Sequence, residues 1–280
     1  MKKKLTIAIC AIIFFSACTK ENNSTLINTN SNLSDASSFA SISQPNSKGI
    51  QIKGKASDVG IGADGSVFVI GIDSVSPTGG FSISKLVADS LIKLPFCAGT
   101  RIAVSPAGIP WVINKSHLIY KYNGYYWTQM PGTGNDIGIG ADGSVYIIGT
   151  DSVSATGGNS ISKWNGSNWT KLANCAGVKI AVAPDGTPWV VAKSNIVYRK
   201  TSGVLWTPIN GVSANDIGIG ADGSVYVTGK DTKTNNPAIY KYVNNNWSSV
   251  SGVSGLSIAV SPKGNPYWTD RLNNFYKLTK

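Results

Sequence analysis

Six basic side chains recur at one position of an internal repeat: Lys85, Lys121, Lys163, Arg199, Lys241 and Lys277. Each is flanked by apolar or aromatic residues, as in Ile119-Tyr120-Lys121-Tyr122. Repeated cations of this kind can read phosphate or acidic sugar through charge and hydrogen bonds. Equally, their apolar stems can cover the flank of a sheet while the charge stays in water. A second series opens a different strand and alternates in sign: Asp58, Arg101, Asp136, Lys179 and Asp216, then Ser257. On strands lining a channel these residues form a ring at its mouth, with neighbouring opposite charges able to pair. The reading we prefer is structural, with each Asp oriented by backbone amides. A third series, Asp73, Asp151 and Asp231, begins long segments found only in alternate units. We expect these to be loops, where ligand contacts concentrate on a rigid scaffold, and Gly79-Gly80 and Gly157-Gly158 point to mobile ones. Asp64, Asp142 and Asp222 sit in Ala-Asp-Gly turns, which is turn chemistry rather than a calcium loop.

Composition removes several alternatives. The 280 residues contain one His, His117, and one Glu, Glu21. A histidine metal cage and a paired-glutamate glycosidase centre cannot be assembled from them. No Gly-x-Ser-x-Gly elbow, phosphate-binding loop or zinc spacing is present, so we expect no enzyme, no metal and no cofactor. Charged residues make up 14% of the chain, against about 25% in a typical soluble domain. The single Glu argues against a helical bundle or coiled coil, which would be rich in Glu, Lys and Ala. The net charge of +11 permits nucleic acid as a partner, but no motif for it is visible, and we expect none.

The elements that position these side chains follow from the repeat. Asp-(Val/Ile)-Gly-Ile-Gly-Ala-Asp-Gly-Ser-Val begins at Asp58, Asp136 and Asp216. Degenerate copies lie between and after them, at Ile102, Ile180 and Ile258. Six units of about 39 residues therefore run from 49 to 280. Each reads as four short strands: Ile-Gly-Ile or Ile-Ala-Val, then runs such as Val145 to Ile148, Ile119 to Tyr122 and Trp127 to Met130. Four-stranded units of about 40 residues predict an all-β fold, a six-bladed β-propeller. The sixth unit ends on its third strand, at Phe275 to Leu278, and Ile50 to Ile52 stands where a fourth strand belongs. The N-terminal strand should complete the last blade and close the ring.

The pattern of Trp, Asp-Ile-Gly-Ile-Gly, Asp-Gly-Ser-Val-Tyr, Ile-Tyr-Lys-Tyr and Trp again resembles the tectonin repeat. That family includes lectins for bacterial lipopolysaccharide and other surface glycans. The resemblance implies a glycan or lipopolysaccharide partner, met through repeated sites that gain strength by multivalency. A protein-interaction scaffold in an outer-membrane complex is the alternative. Trp127, Trp169, Trp206 and Trp247 recur at one position, and we read them as packing between blades before sugar stacking. The first unit has Leu91 there.

The N-terminal residues read as an address. Lys2 to Lys4 are followed by an apolar run from Leu5 to Ala17, too short to span a bilayer and fitting a signal peptide over 1–17. Phe15-Ser16-Ala17-Cys18 resembles the lipobox of bacterial lipoproteins, which implies lipidation at Cys18. Thr19 after it implies the outer membrane. Residues 18–48, rich in Ser, Thr and Asn, read as a flexible tether. The expectation is an exported protein at the outer membrane or cell surface, held to the membrane by its lipid alone. Cys97 and Cys175 occupy matching repeat positions and should be buried free thiols in separate blades.

Overall fold

The structure, a computed structural model, describes residues 48–230 and 236–279. The signal peptide, Cys18, the tether up to residue 47 and Asp231 lie outside the described residues.

Among the described residues the secondary structure is entirely β: six four-stranded antiparallel sheets, each a blade of a ring. Blade 1 shows the plan. Its inner strand is Asp58–Ile61, followed by Val67–Ser76, Gly80–Val87 and the outer strand Ser90–Gly99. The Ala-Asp-Gly turn joins the first two. There Ser66 donates its backbone N–H and its hydroxyl to the Asp64 carboxylate, at 3.0 and 2.7 Å. Asp142 and Asp222 repeat this arrangement, so all three side chains close their own turns.

Successive side chains on a strand point to opposite faces, and here both faces meet another blade. Val59, Val67 and Val69 pack toward blade 6, with Ile52 and Phe275. Phe68, Ile70 and Ile83 pack toward blade 2, with Ile102 and Val112. Six apolar clusters of this kind, one per junction, form the core. At the narrow centre the inner strands crowd together. A Cβ on Gly60, Gly138 or Gly218 would lie 2.9–3.0 Å from a carbonyl of the next blade, which is why these positions hold glycine.

Blade 6 is closed as the sequence predicts. Its inner three strands are Ser257–Val260, Pro266–Thr269 and Asn274–Thr279. The fourth is the N-terminal strand Lys48–Lys55, antiparallel to Asn274–Thr279, with Gly49 opposite Leu278 and Ile52 opposite Phe275. It crosses directly over Trp268, so closely that a Cβ on Gly49 would lie 2.8 Å from the indole. Lys55 latches the end through the Leu272 carbonyl and Asn274, at 2.9 and 2.7 Å.

The long segments of blades 1 and 3 are not mobile loops. The second and third strands continue past the body of the blade as a hairpin arm, with Ser74 opposite Phe81 and Ser76 opposite Gly80. The Ser76 hydroxyl accepts the Gly79 N–H and tightens the tip. The tip carbonyls of Thr78 and Gly79 then accept the amides of Ser116 and Lys115 in blade 2. The blade 3 arm docks on blade 4 identically, through Thr156 and Gly157. Asp73 and Asp151 therefore lie on strands. His117 sits in the blade 2 turn below the first arm, exposed and left-handed like Asn195 and Asn273 in the matching turns.

Phe275 is fully buried where the closing strand, blade 6 and blade 1 meet. Phe275→Ala is expected to lower the unfolding free energy by about 3–5 kcal/mol, measured by urea denaturation.

Candidate functional site

The alternating charges at the starts of the inner strands form a connected ring. Each Asp is buried and accepts the amide of the second inner-strand residue of the following blade: Ile102 to Asp58 at 3.0 Å, Ile180 to Asp136 at 2.8 Å, Ile258 to Asp216 at 3.0 Å. Each residue between them reaches forward to the next Asp. Arg101 lies 3.5 Å from Asp136, Lys179 lies 3.7 Å from Asp216, and the Ser257 hydroxyl donates to Asp58 at 2.7 Å. The amide reading and the charge-pairing reading both hold, on the two oxygens of one carboxylate. Burial pushes the Asp136 carboxyl up to about 6, against the attraction of Lys179 and Arg101. Burial raises Asp58 as well.

The third-strand cations stand opposite aromatic residues of the second strand: Lys85 opposite Phe68, Lys121 opposite Trp111, Lys163 opposite Tyr146, Arg199 opposite Trp189, Lys241 opposite Tyr226. Their charged ends lie over those rings, 5.3–5.5 Å from the centroids, within cation–π range. Lys277, opposite Tyr267, instead bridges to Asp89 of blade 1 at 2.7 Å.

The outer-strand Trp residues tie neighbouring blades. The indole N–H reaches back to a carbonyl on or just beyond the outer strand of the preceding blade. Trp127 donates to Pro95 at 3.1 Å, Trp169 to Pro131 at 2.7 Å and Trp206 to Ala173 at 3.2 Å. Trp247 packs into the junction of blades 4 and 5.

The arms create what the strand pattern did not announce. Between the blade 3 arm and blade 4 lies a cleft of about 500 Å³. Its wall carries the hydroxyls of Ser154, Thr156 and Ser194, the Asn174 amide and the aromatic rings of Tyr198 and Trp206. Lys171, on the outer strand, also lines it and pairs with Asp151 of the arm at 2.6 Å; the Ser160 hydroxyl donates to the other carboxylate oxygen. The Lys171 ammonium and the Ser160 hydroxyl hold the Asp151 carboxyl below its usual range. Blades 1 and 2 carry the same groups: Lys93 pairs with Asp73 at 2.6 Å, and Ser76, Thr78, Ser116, Tyr120 and Trp127 stand at the matching positions. Both lysines are about two-thirds exposed. At the third junction Ser249 replaces the lysine, and Asp231 is outside the described residues.

Cys97 and Cys175 sit beside these positions. They are free, as expected, but half-buried rather than buried, because each packs at the edge of its apolar cluster rather than within it. Burial still pushes both thiols up to about 11, which leaves them protonated and unreactive.

A family model, the tectonin domain, matches residues 83–234. The chain belongs to the tectonin family. No curated protein matches it in sequence. Among solved structures it is similar to a gluconolactonase from Xanthomonas campestris, 11% identical, over 84% of this chain and 90% of that one, with a TM-score of 0.62. It is also similar to a chain of a mitotic checkpoint complex, 10% identical, over 82% and 93%, with a TM-score of 0.55. At these identities the likeness shows the propeller fold alone.

Native Asp136 binds its proton more tightly than the unfolded carboxyl, whose value is near 3.8. Between about pH 4 and 6 the native chain holds a proton that the unfolded chain releases, so stability falls as pH rises. Asp136→Asn keeps an acceptor for Ile180 and removes that titration. In urea unfolding, the advantage of wild type over the variant is expected to shrink from pH 4 to pH 6.

Proposed function

We propose that this tectonin propeller is a non-enzymatic, lipid-anchored protein of the outer membrane or cell surface that recognises glycans, such as lipopolysaccharide or another surface polysaccharide. The observation that carries the reading is the cleft beside the docked blade 3 arm, whose lining residues recur at the matching positions of blades 1 and 2. Exposed ion pairs such as Lys93–Asp73 and Lys171–Asp151 contribute about 0–1 kcal/mol to stability. Keeping the identical pair twice, each beside hydroxyls and aromatic rings, suits recognition better than folding. A polyol needs many hydrogen-bonding partners at fixed positions together with an apolar wall, and a volume of about 500 Å³ accommodates one or two sugar rings, within the usual range of ligand pockets. Five of the third-strand cations lie over their own rings and the sixth, Lys277, bridges to Asp89, so they serve blade cohesion first. The ring carboxylates are occupied by backbone amides, Arg101, Lys179 and Ser257, which favours a structural role for them over acid–base chemistry.

The alternative, a scaffold for protein partners in an outer-membrane complex, draws on Tyr125 and Tyr126. They are 86% and 62% exposed on a turn of blade 2.

The experiment is a glycan array followed by calorimetric titration with purified lipopolysaccharide. Lys93→Ala/Lys171→Ala is expected to weaken binding about tenfold or more, the loss of one charge-assisted contact per cleft, with the melting temperature nearly unchanged. Wild type that binds no saccharide at millimolar concentration would end the glycan reading.

A further inference from the structure

Every blade turns left-handed at one position on or just beyond its outer strand. The six residues there are Gly54, Phe96, Gly132, Asn174, Gly211 and Gly252, with φ between 62° and 117°. Four are glycine and one is asparagine, the residues that enter this region at least cost. Phe96, with φ of 65°, is the exception, and a bulky side chain there is a genuine outlier. Burial does not account for it: the ring is 90% exposed, more than any other large hydrophobic side chain among the described residues.

The mount of this ring is rigid. The Pro95 carbonyl before it holds the Trp127 indole, and two residues on, Ala98 is buried and paired with Ser82. An exposed aromatic ring on a fixed, strained backbone is retained where something outside the fold uses it. The repeat indicates what that is. Asn174, at the matching position in blade 3, lines the cleft against blade 4. Phe96 holds the matching position of blade 1, three residues beyond Lys93, the partner of Asp73.

We propose that Phe96 is a stacking platform for the C–H face of a sugar ring, with the Lys93–Asp73 pair engaging that sugar's hydroxyls. This deepens the glycan reading above and rests on it. An aromatic face beside a hydrogen-bonding ion pair matches a pyranose, which is apolar on its faces and polar at its rim. The two positions are then unequal: the one carrying Phe96 selects a ring with an open apolar face, and the cleft carrying Asn174 binds through hydrogen bonds.

The test is Phe96→Asn in the full chain, which copies the sister blade. Asn tolerates the left-handed backbone and no buried surface is lost, so the melting temperature is expected to rise by about 2–4 °C. Affinity for purified lipopolysaccharide, and for the soluble polysaccharide released from it, is expected to fall about tenfold, with Phe96→Trp retaining it. A lowered melting temperature would show that the ring is a packing element and overturn the proposal. So would unchanged saccharide affinity in Phe96→Asn alongside loss in Lys93→Ala/Lys171→Ala, a result that leaves the cleft reading standing. Loss of a co-purifying protein with saccharide binding intact would also overturn it. Wild type that binds neither saccharide probe would remove the glycan reading and the platform together.

Discussion

Each blade exposes two apolar faces, and neither can be left to water. A stack of such blades has no stable end until the last one meets the first. That constraint governs the whole molecule, and the chain satisfies it at two radii. At the centre, the carboxylate of every odd blade accepts an amide from the next, and the Ser257 hydroxyl carries the circuit across the junction from blade 6 to Asp58. At the rim, the strand Lys48–Lys55 completes the last sheet over Trp268. With Ser257 where the other junctions have a cation, Asp58 takes a hydrogen bond there in place of an ion pair, at the one junction where the two ends of the fold are joined.

The repeat explains packing, and departures from it mark the surface that meets other molecules. Positions that recur around the ring serve cohesion: the inner-strand apolar residues of all six blades and the third-strand cations, five over second-strand rings and one bridging to Asp89. Among the described residues, arms that carry an Asp–Lys pair occur in blades 1 and 3. From the features shared around the ring to those found in two blades, the residues move outward and become exposed.

Much of this was legible in the sequence for a physical reason. Strand alternation, the Ala-Asp-Gly turns and the missing fourth strand of unit six are local or periodic features, so number, order and closure of blades could be read directly. The ring at Asp58, Arg101, Asp136, Lys179 and Asp216 was visible because it repeats. The arms were read as loops because Gly79-Gly80 looks mobile in isolation; the hydrogen bonds that fix the tip come from Lys115 and Ser116, in another blade. The clefts were missed although Asp73 and Lys93 have the same separation as Asp151 and Lys171, because the pair occurs in neither every unit nor every odd unit. Phe96 carried no signal at all, since its oddity is a backbone angle seen only against the five matching positions.

The closing strand also sets how the domain bears tension. Residue 48 is paired with Thr279 and residue 52 with Phe275, so a pull on the chain entering at residue 48 loads that ladder from its terminal pair inward. Beneath the ladder lies the Trp268 ring, and at its far end the Lys55 latch. If the ladder parts, the outer flank of blade 6 opens while the inner circuit from Ser257 to Asp58 remains. Resistance to mechanical load thus resides in one eight-residue strand, and the propeller has a built-in place to yield before its centre does.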